Sequence, residues 1–439
     1  MRKTYLILSM VLVLCLSVVG LAAAKNVRVI VEVDQVNEAM VDQLKGNAVK
    51  INYEFPEIDM VAMTVKEGNI NTVKGLPGVV NIYRDHKVTV SGTPITAWDL
   101  DMIDVEKVHN TNNTEFDGTG VYVAVLDTGL LPHWKDYFPE EKIAKELGAG
   151  FHNPQSNVNP GAWVGVHAHG THVTSSIIGY NFYGDYVDGV APGSKIIPVK
   201  VLSNQGSGYS SAVTAGILYV ANLKAEGIVS EPIVINMSLG SSLPDESELE
   251  AIKYAIDNGV VVVTSAGNEG ETGMGYPGAY EEVISVGAVG WKNIWTKGWN
   301  GDVTEDNVAD TVYVADYSSR ELVGQELDVL APGDNIVGPY TVNGAAHPPR
   351  WAQQDKMGEY YFLGGTSMAS PHVAGVAALM LDKNELLTHW EIESILKDTA
   401  LHIPAGSVFV PGDGTYSWGS DATGSGLIMA DEAIQAVNQ

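Results

Sequence analysis

The sequence predicts an α/β chain, with a doubly wound, mostly parallel sheet preceded by a small α+β unit. Three observations carry this reading. From Gly120 onward, short Val- and Ile-rich runs alternate with helical stretches, the pattern of parallel strands joined by crossover helices. Runs such as VIVINM, VVVVTS and VYVAVL are apolar at nearly every position, as strands must be when both faces of their sheet are covered. Residues 27–90 carry a separate pattern in the order β-α-β-β-α-β, that of a ferredoxin-like unit able to bury one sheet face under two helices.

Met1 to Ala24 opens with Arg2 and Lys3, continues through an apolar run from Tyr5 to Leu21 and closes on Ala22-Ala23-Ala24. Residues 1–24 therefore read as a secretory signal peptide, which predicts a secreted, extracellular protein. An uncleaved N-terminal anchor is the alternative, because about 18 apolar residues nearly span a bilayer. The only cysteine, Cys15, falls in this segment, so an exported chain has no disulfide and takes its robustness from packing or bound ions.

In residues 25–92 the strands are expected at Val27–Val33, Val49–Phe55, Met60–Val65 and Val79–Tyr83, with helices at Asn37–Lys45 and Gly68–Lys74. Residues 93–439 form the second domain. Its strand and helix runs are Val121–Leu126 and a helix from His169; Lys195–Val201 and Ser210–Lys224; Ile233–Asn236 and Glu246–Asn258; then Val260–Ser265 and Val283–Val286. Pro244-Asp245-Glu246-Ser247-Glu248 is a helix entry whose acids suit the positive end of the helix dipole. Two stretches look like surface insertions, Trp291–Tyr313, acidic and aromatic, and Pro339–Tyr360, holding His347-Pro348-Pro349-Arg350-Trp351. Either can wall a cleft or remain a surface hairpin.

A formal charge of −28, from 53 acids against 25 Lys plus Arg, argues against nucleic-acid binding, which needs a basic face. The same acidity suits a solubilising surface.

The chemistry is carried by three motifs: VAVLDTG ending in Asp127-Thr128-Gly129, HGTHV from His169, and GTSMASPHVAG carrying Ser367. A serine hydroxyl is a poor nucleophile until a neutral imidazole takes its proton. The imidazole in turn needs a carboxylate to fix its tautomer and stabilise the imidazolium. Asp127 directly follows a strand run, at the carboxyl end where ligands bind in open α/β sheets. Ser367 lies at the start of an apolar helical run, where free N–H groups favour a developing anion. Pro371 is expected in the first turn of that helix, where a missing N–H costs nothing.

In this order, Asp, His, Ser, the motifs resemble those of the subtilisin-like serine proteases, the subtilases, from about Trp98 to the C-terminus. The resemblance implies a serine endopeptidase working through an acyl-enzyme and needing no catalytic cofactor, with Asp127, His169 and Ser367 as its triad. SAGNEG at Ser265–Gly270 implies that Asn268 donates to the oxyanion, beside the Ser367 amide. Substrate would lie between Gly206-Ser207-Gly208 and Ser238-Leu239-Gly240, with Ala266 and Gly267 leaving room for a side chain. The small unit of residues 25–92 corresponds to a propeptide that chaperones folding and inhibits the enzyme, and Lys87–Pro94 to its tail and the cut linker. Expected partners are polypeptide substrates and this propeptide, with no membrane in the mature form and a monomer as the working state.

Two departures stand out. His167 occupies a position where the family has a small or polar residue, and would perturb the base without replacing it. The family's calcium site would fall at Asp136 and the loop Asn181–Asp188, but the loop lacks the usual asparagine pattern, so the metal ligands stay unassigned. His172 reads as a packed histidine, since no HExxH arrangement accompanies it. A non-catalytic scaffold on the same fold would need a lost triad member. A narrow processing protease would show acidic subsite walls.

Overall fold

The computed structural model describes residues 26–85, 97–110, 116–152, 161–292, 294, 303–340, 359–410 and 414–438. The expected signal peptide with Cys15, the tail Lys87–Pro94, residues 347–351 and Trp295, Trp299 and Asp302 lie outside the described residues. The chain divides into two compact units between Ser91 and Gly92.

The first unit runs β1 (Asn26–Val33), α1 (Glu38–Lys45), β2 (Lys50–Phe55), β3 (Met60–Lys66), α2 (Ile70–Lys74) and β4 (Val79–Arg84). Its strands form one antiparallel sheet in the order β2-β3-β1-β4. The two-residue period of β1 turns Val27, Val29, Val31 and Val33 inward, where they meet Val41 and Leu44 of α1 and Val73 of α2. Asn37 is the cap of α1 and not its first residue, for its side chain accepts from the Met40 amide at 3.0 Å.

The second unit opens with two short helices, α3 (Trp98–Asp101) and α4 (Val105–Asn110), and continues through β5 (Tyr122–Asp127), β6 (Ala149–Gly150), α5 (His169–Ile178) and the hairpin β7 (Tyr180–Phe182) and β8 (Asp185–Val187). There follow β9 (Lys195–Lys200), α6 (Ser210–Ala225), β10 (Ile233–Met237), α7 (Glu246–Asp257), β11 (Val260–Ser265) and β12 (Ile284–Trp291). Beyond β12 come α8 (Val308–Thr311), β13 (Val312–Val314), β14 (Val329–Pro332), β15 (Ile336–Pro339), β16 (Tyr360–Leu363), α9 (Thr366–Lys383) and α10 (His389–Asp398), then the hairpin β17 (Gly406–Val410) and β18 (Gly414–Trp418) and α11 (Ala430–Ala436).

The central sheet has the order β13-β12-β11-β10-β5-β9-β6, with β14 also on β12; only the β12–β13 pairing is antiparallel. Alternate residues of each strand feed two cores. Val123 and Val125 of β5 and Val234 of β10 face the side where α5 supplies Val173 and Ile177 and α9 supplies Val373 and Val376. Ala124, Leu126, Ile233 and Ile235 face Val213 and Ile217 of α6 and Ile252 of α7. Burial on both faces is why these strands read as unbroken apolar runs. The strands added after β5 go to one side through β9 and β6, then to the other through β10, β11 and β12. The order therefore reverses at β5, and a cleft opens at the carboxyl ends of β5, β9 and β10.

Three local expectations change. β12 extends to Trp291 and not only to Val286, because its far half pairs with β13 and β14. Both proposed insertions have roots within regular structure: Tyr313 lies in β13, and Pro339 pairs with Tyr360 at the ends of β15 and β16. Pro371 is not in the first turn, since α9 begins at Thr366 and the proline is its sixth residue. That placement removes the intrahelical bond to the Ser367 carbonyl. The Ser238 hydroxyl replaces it, donating to Ser367 O at 2.8 Å.

Candidate active site

Asp127 ends β5 and is fully buried. Its two carboxylate oxygens lie 2.9 and 2.8 Å from Nδ1 of His169, the first residue of α5. The Thr128 amide donates to Oδ1 as well. Gly170 makes the approach of α5 feasible, because a Cβ there would stand 2.6 Å from Gly129 O and 3.1 Å from Asp127 Oδ1. Burial alone would raise the Asp127 pKa, but the His169 ring, its hydrogen bond and the Thr128 amide together hold it below the ordinary value. For His169 burial acts to lower the pKa, and the Asp127 carboxylate outweighs it and raises the pKa above 6.5. The carboxylate thus fixes Nδ1–H toward itself and leaves Nε2 as the basic nitrogen.

Ser367 is the second residue of α9 and shares the cleft with His169. Its hydroxyl donates to Ser238 O at 3.3 Å and makes no hydrogen bond to His169. Rotation about χ1 moves a serine hydroxyl between staggered positions, and catalytic hydrogen bonds commonly tighten only around substrate.

The orientation of Asn268 follows from its neighbours. Its Oδ1 accepts from Thr366 N at 2.9 Å and from Thr366 Oγ1 at 3.0 Å, so the amide nitrogen Nδ2 must point the other way. A Cβ placed on Gly365 would stand 3.6 Å from Nδ2 and 3.7 Å from Ser367 N, so both donors border one small space. The Ser367 amide is in the first turn of α9, where a helix offers no internal acceptor. Two N–H groups facing one space can stabilise an anion formed there.

Six of the eight residues expected to bind substrate line this cleft of about 440 Å³: Gly206, Ser207 and Gly208 on one wall, Ser238, Leu239 and Gly240 on the other. Among the described residues Gly208 and Gly240 make no backbone hydrogen bonds, so both walls carry main-chain groups open to an added strand. Ala266 and Gly267 do not line it. Ala266 is fully buried, and a Cβ on Gly267, where φ is +108°, would lie 2.4 Å from Glu269 Oε2 and 2.9 Å from Ser319 Oγ.

His167 also lines the cleft. Its Nδ1 accepts from the His169 amide at 3.2 Å, and its ring meets Tyr340 edge-on at 6.5 Å, which brings the root of the second insertion against His167. Burial, and then the nearby His169 charge, lower its pKa. His172 is fully buried with Nε2 3.2 Å from Ile336 O, a packed position.

Two features escaped the sequence reading. Lys200, opposite Asp127 in the β5–β9 register, is 1% exposed and donates to Thr128 O at 2.6 Å and Leu202 O at 2.8 Å. It joins the turn after Asp127 to the segment leading into Gly206–Gly208, and burial lowers its pKa to about 8 although Asp127 opposes the shift. Its signal was a lysine closing the apolar run KIIPV. The second is Asn236, whose Nδ2 donates to Ser238 Oγ at 3.0 Å while its Oδ1 accepts from Ser370 Oγ at 2.7 Å. A polar residue inside IVINM was the clue to it.

The residues suggested for calcium are hydrogen-bonded to one another. Asn181 gives its amide to the Asp136 carbonyl at 3.1 Å, and its Oδ1 accepts from Gly184 N at 2.8 Å, closing the β7–β8 turn. Among the described residues no group of three His, Cys, Asp or Glu side chains is spaced to hold a metal ion. No helix of those residues is long and apolar enough to cross a membrane.

Residues 118–427 match the profile of the subtilase family. The chain is 30% identical over 411 residues to a thermostable alkaline protease of Halalkalibacterium halodurans, covering 94% of this chain and 92% of that one. It is 31% identical over 398 residues to subtilisin NAT of Bacillus subtilis subsp. natto, covering 90% and 85%. Among solved structures it resembles Sphericase, with a TM-score of 0.55 and 27% identity over 74% of this chain and 98% of that one.

Proposed function

The chain belongs to the subtilase family and is a serine endopeptidase, and from that premise we propose that Ser367, His169 and Asp127 form its catalytic triad in an exported, self-processing precursor. The observation that carries this is the pairing of both Asp127 oxygens with His169 Nδ1, at 2.9 and 2.8 Å, beside Ser367 in one cleft. Substrate enters extended between Gly206–Gly208 and Ser238–Gly240, pairing its backbone with both walls. His169 Nε2 takes the Ser367 proton as Oγ attacks the scissile carbonyl carbon. The new oxyanion sits between Asn268 Nδ2 and the Ser367 amide. His169, positive and held by Asp127, then protonates the leaving amine, and water repeats the sequence to release the acyl group.

The segment 25–92 is the precursor's own folding aid and inhibitor, removed by the activity it restrains. The test is mass spectrometry of purified full-length chain incubated alone, wild type against Ser367→Ala. The wild type should release the N-terminal segment. The variant should stay whole and lose peptide hydrolysis by on the order of a millionfold in kcat, the scale of losing a triad nucleophile. A variant that matures unaided and turns over normally would remove Ser367 from the mechanism.

A further inference from the structure

Glu248 is the third residue of α7, which is capped by Asp245. A glutamate at this position ordinarily reaches back to the backbone N–H of the capping residue. The same chain shows that arrangement in α10, where Glu391 bonds the Thr388 amide at 2.8 Å. In α7 the corresponding N–H is already taken, because Asp245 N donates to Tyr280 Oη at 2.7 Å. Glu248 is therefore released from the helix end. It is 4% exposed, lines the cleft that holds His169 and Ser367, and its carboxyl has no hydrogen bond or ion pair among the described residues.

Its surroundings define what would satisfy it. The cleft it lines is also lined by the apolar side chains of Leu239 and Val213 and the rings of Tyr276 and Tyr209, the last 82% exposed. Burial, with the nearby Asp245 carboxylate adding to it, pushes the Glu248 pKa up to about 7. An unpaired buried carboxylate is costly, and a cation supplied from outside removes that cost. A lysine or arginine side chain suits this shape: its alkyl stem lies along apolar walls, its charged head meets the carboxylate, and an aromatic face can cover it.

We propose that this end of the cleft is a subsite for a basic side chain of the polypeptide substrate, with Glu248 as its specificity determinant. The inference rests on the peptidase reading above and adds a substrate class to it. An acidic side chain at the same place is rejected by like charge, and a neutral one leaves the carboxylate unpaired.

The experiment is a positional scan with quenched fluorescent peptides carrying Lys, Arg, norleucine or Glu at each position, at pH 8.5, with matured wild-type enzyme and with Glu248→Gln and Glu248→Leu. One position should prefer Lys or Arg over norleucine by about ten- to a hundredfold in kcat/KM, the scale of a hydrogen bond to a charged group. In both variants that ratio should collapse toward one. Absence of any basic preference in the wild type overturns the proposal, and so does a preference that survives in either variant. Norleucine peptides and labelling of Ser367 by a fluorophosphonate report the peptidase reading separately. If both fail, that reading is at fault and not the subsite.

Discussion

Burial works against a charge on Asp127, and the carboxylate stays ionised only because His169 and the Thr128 amide face it. In the proposed mechanism the reciprocal effect on His169 sets the pH dependence of the reaction. Catalysis needs the neutral imidazole, and Asp127 raises the pKa at which that form appears. Activity should therefore be lost as pH falls through a value above 6.5, the acid limb of kcat/KM. Burial holds the pKa of the neighbouring His167 below the ordinary value, so it takes up its proton at lower pH than His169. Asp127→Asn removes the charge that favours imidazolium, so the limb should move to lower pH while kcat drops by on the order of ten-thousandfold. A limb that stays in place would mean that another group controls it. Asp127, His169, Asn268 and Ser367 were legible because each sits in a short motif that encodes its own turn or helix start. Glu248 was not, since an acid in a first helical turn reads as a partner for the dipole; only the Tyr280 hydroxyl on the Asp245 amide shows otherwise.

Between α9 and β10 the structure contains a repair that no local reading supplies. Pro371 frees the Ser367 carbonyl, Ser238 Oγ bonds it at 2.8 Å, and Asn236 Nδ2 orients that hydroxyl at 3.0 Å. Proline and its helix are visible in sequence, whereas the compensating serine lies on a strand end and is found only through the tertiary fold. The carbonyl belongs to the proposed nucleophile itself, so this bond fixes the backbone that positions Oγ and the Ser367 amide. Ser238→Ala leaves a buried carbonyl and the Asn236 amide without their partner, which should cost about 1–3 kcal/mol of stability. Urea unfolding reads that loss, and peptide kinetics should show kcat falling more than KM rises. Unchanged stability together with unchanged kcat would show that water or a shifted helix replaces the bond at no cost. Lys200 follows the same logic across β5 and β9: the alternation of strands is plain in the sequence, but their adjacency, which brings the ammonium to the Asp127 turn, is not.

For the whole molecule, the contrast between its two units bears on how it folds. Residues 26–85 close their whole sheet within one short stretch of chain, with β2 beside β3 and β1 between β3 and β4, around a compact core of Val27, Val29, Val31, Leu44, Met63 and Val73. In the second unit β5 cannot be completed until β10 arrives, with Tyr122 opposite Ile233, and α9 packs its Val373 and Val376 into the core of Val123 and Val125 from still further along the chain. Loop-closure entropy must be met before such contacts form, so a parallel sheet of this connectivity folds slowly. A small unit that folds first, and binds the larger one more tightly as the sheet assembles, lowers that barrier. As the proposed inhibitor, the same unit would also restrain the finished enzyme. Refolding Thr93–Gln439 alone, and again with the segment Lys25–Gly92 added in trans, separates these effects. Recovered peptidase activity should be low without the segment and rise with it, and excess segment should inhibit mature enzyme at micromolar concentration. Equal recovery without the segment, with no inhibition by it, would leave residues 25–92 as a permanent structural domain that plays neither part.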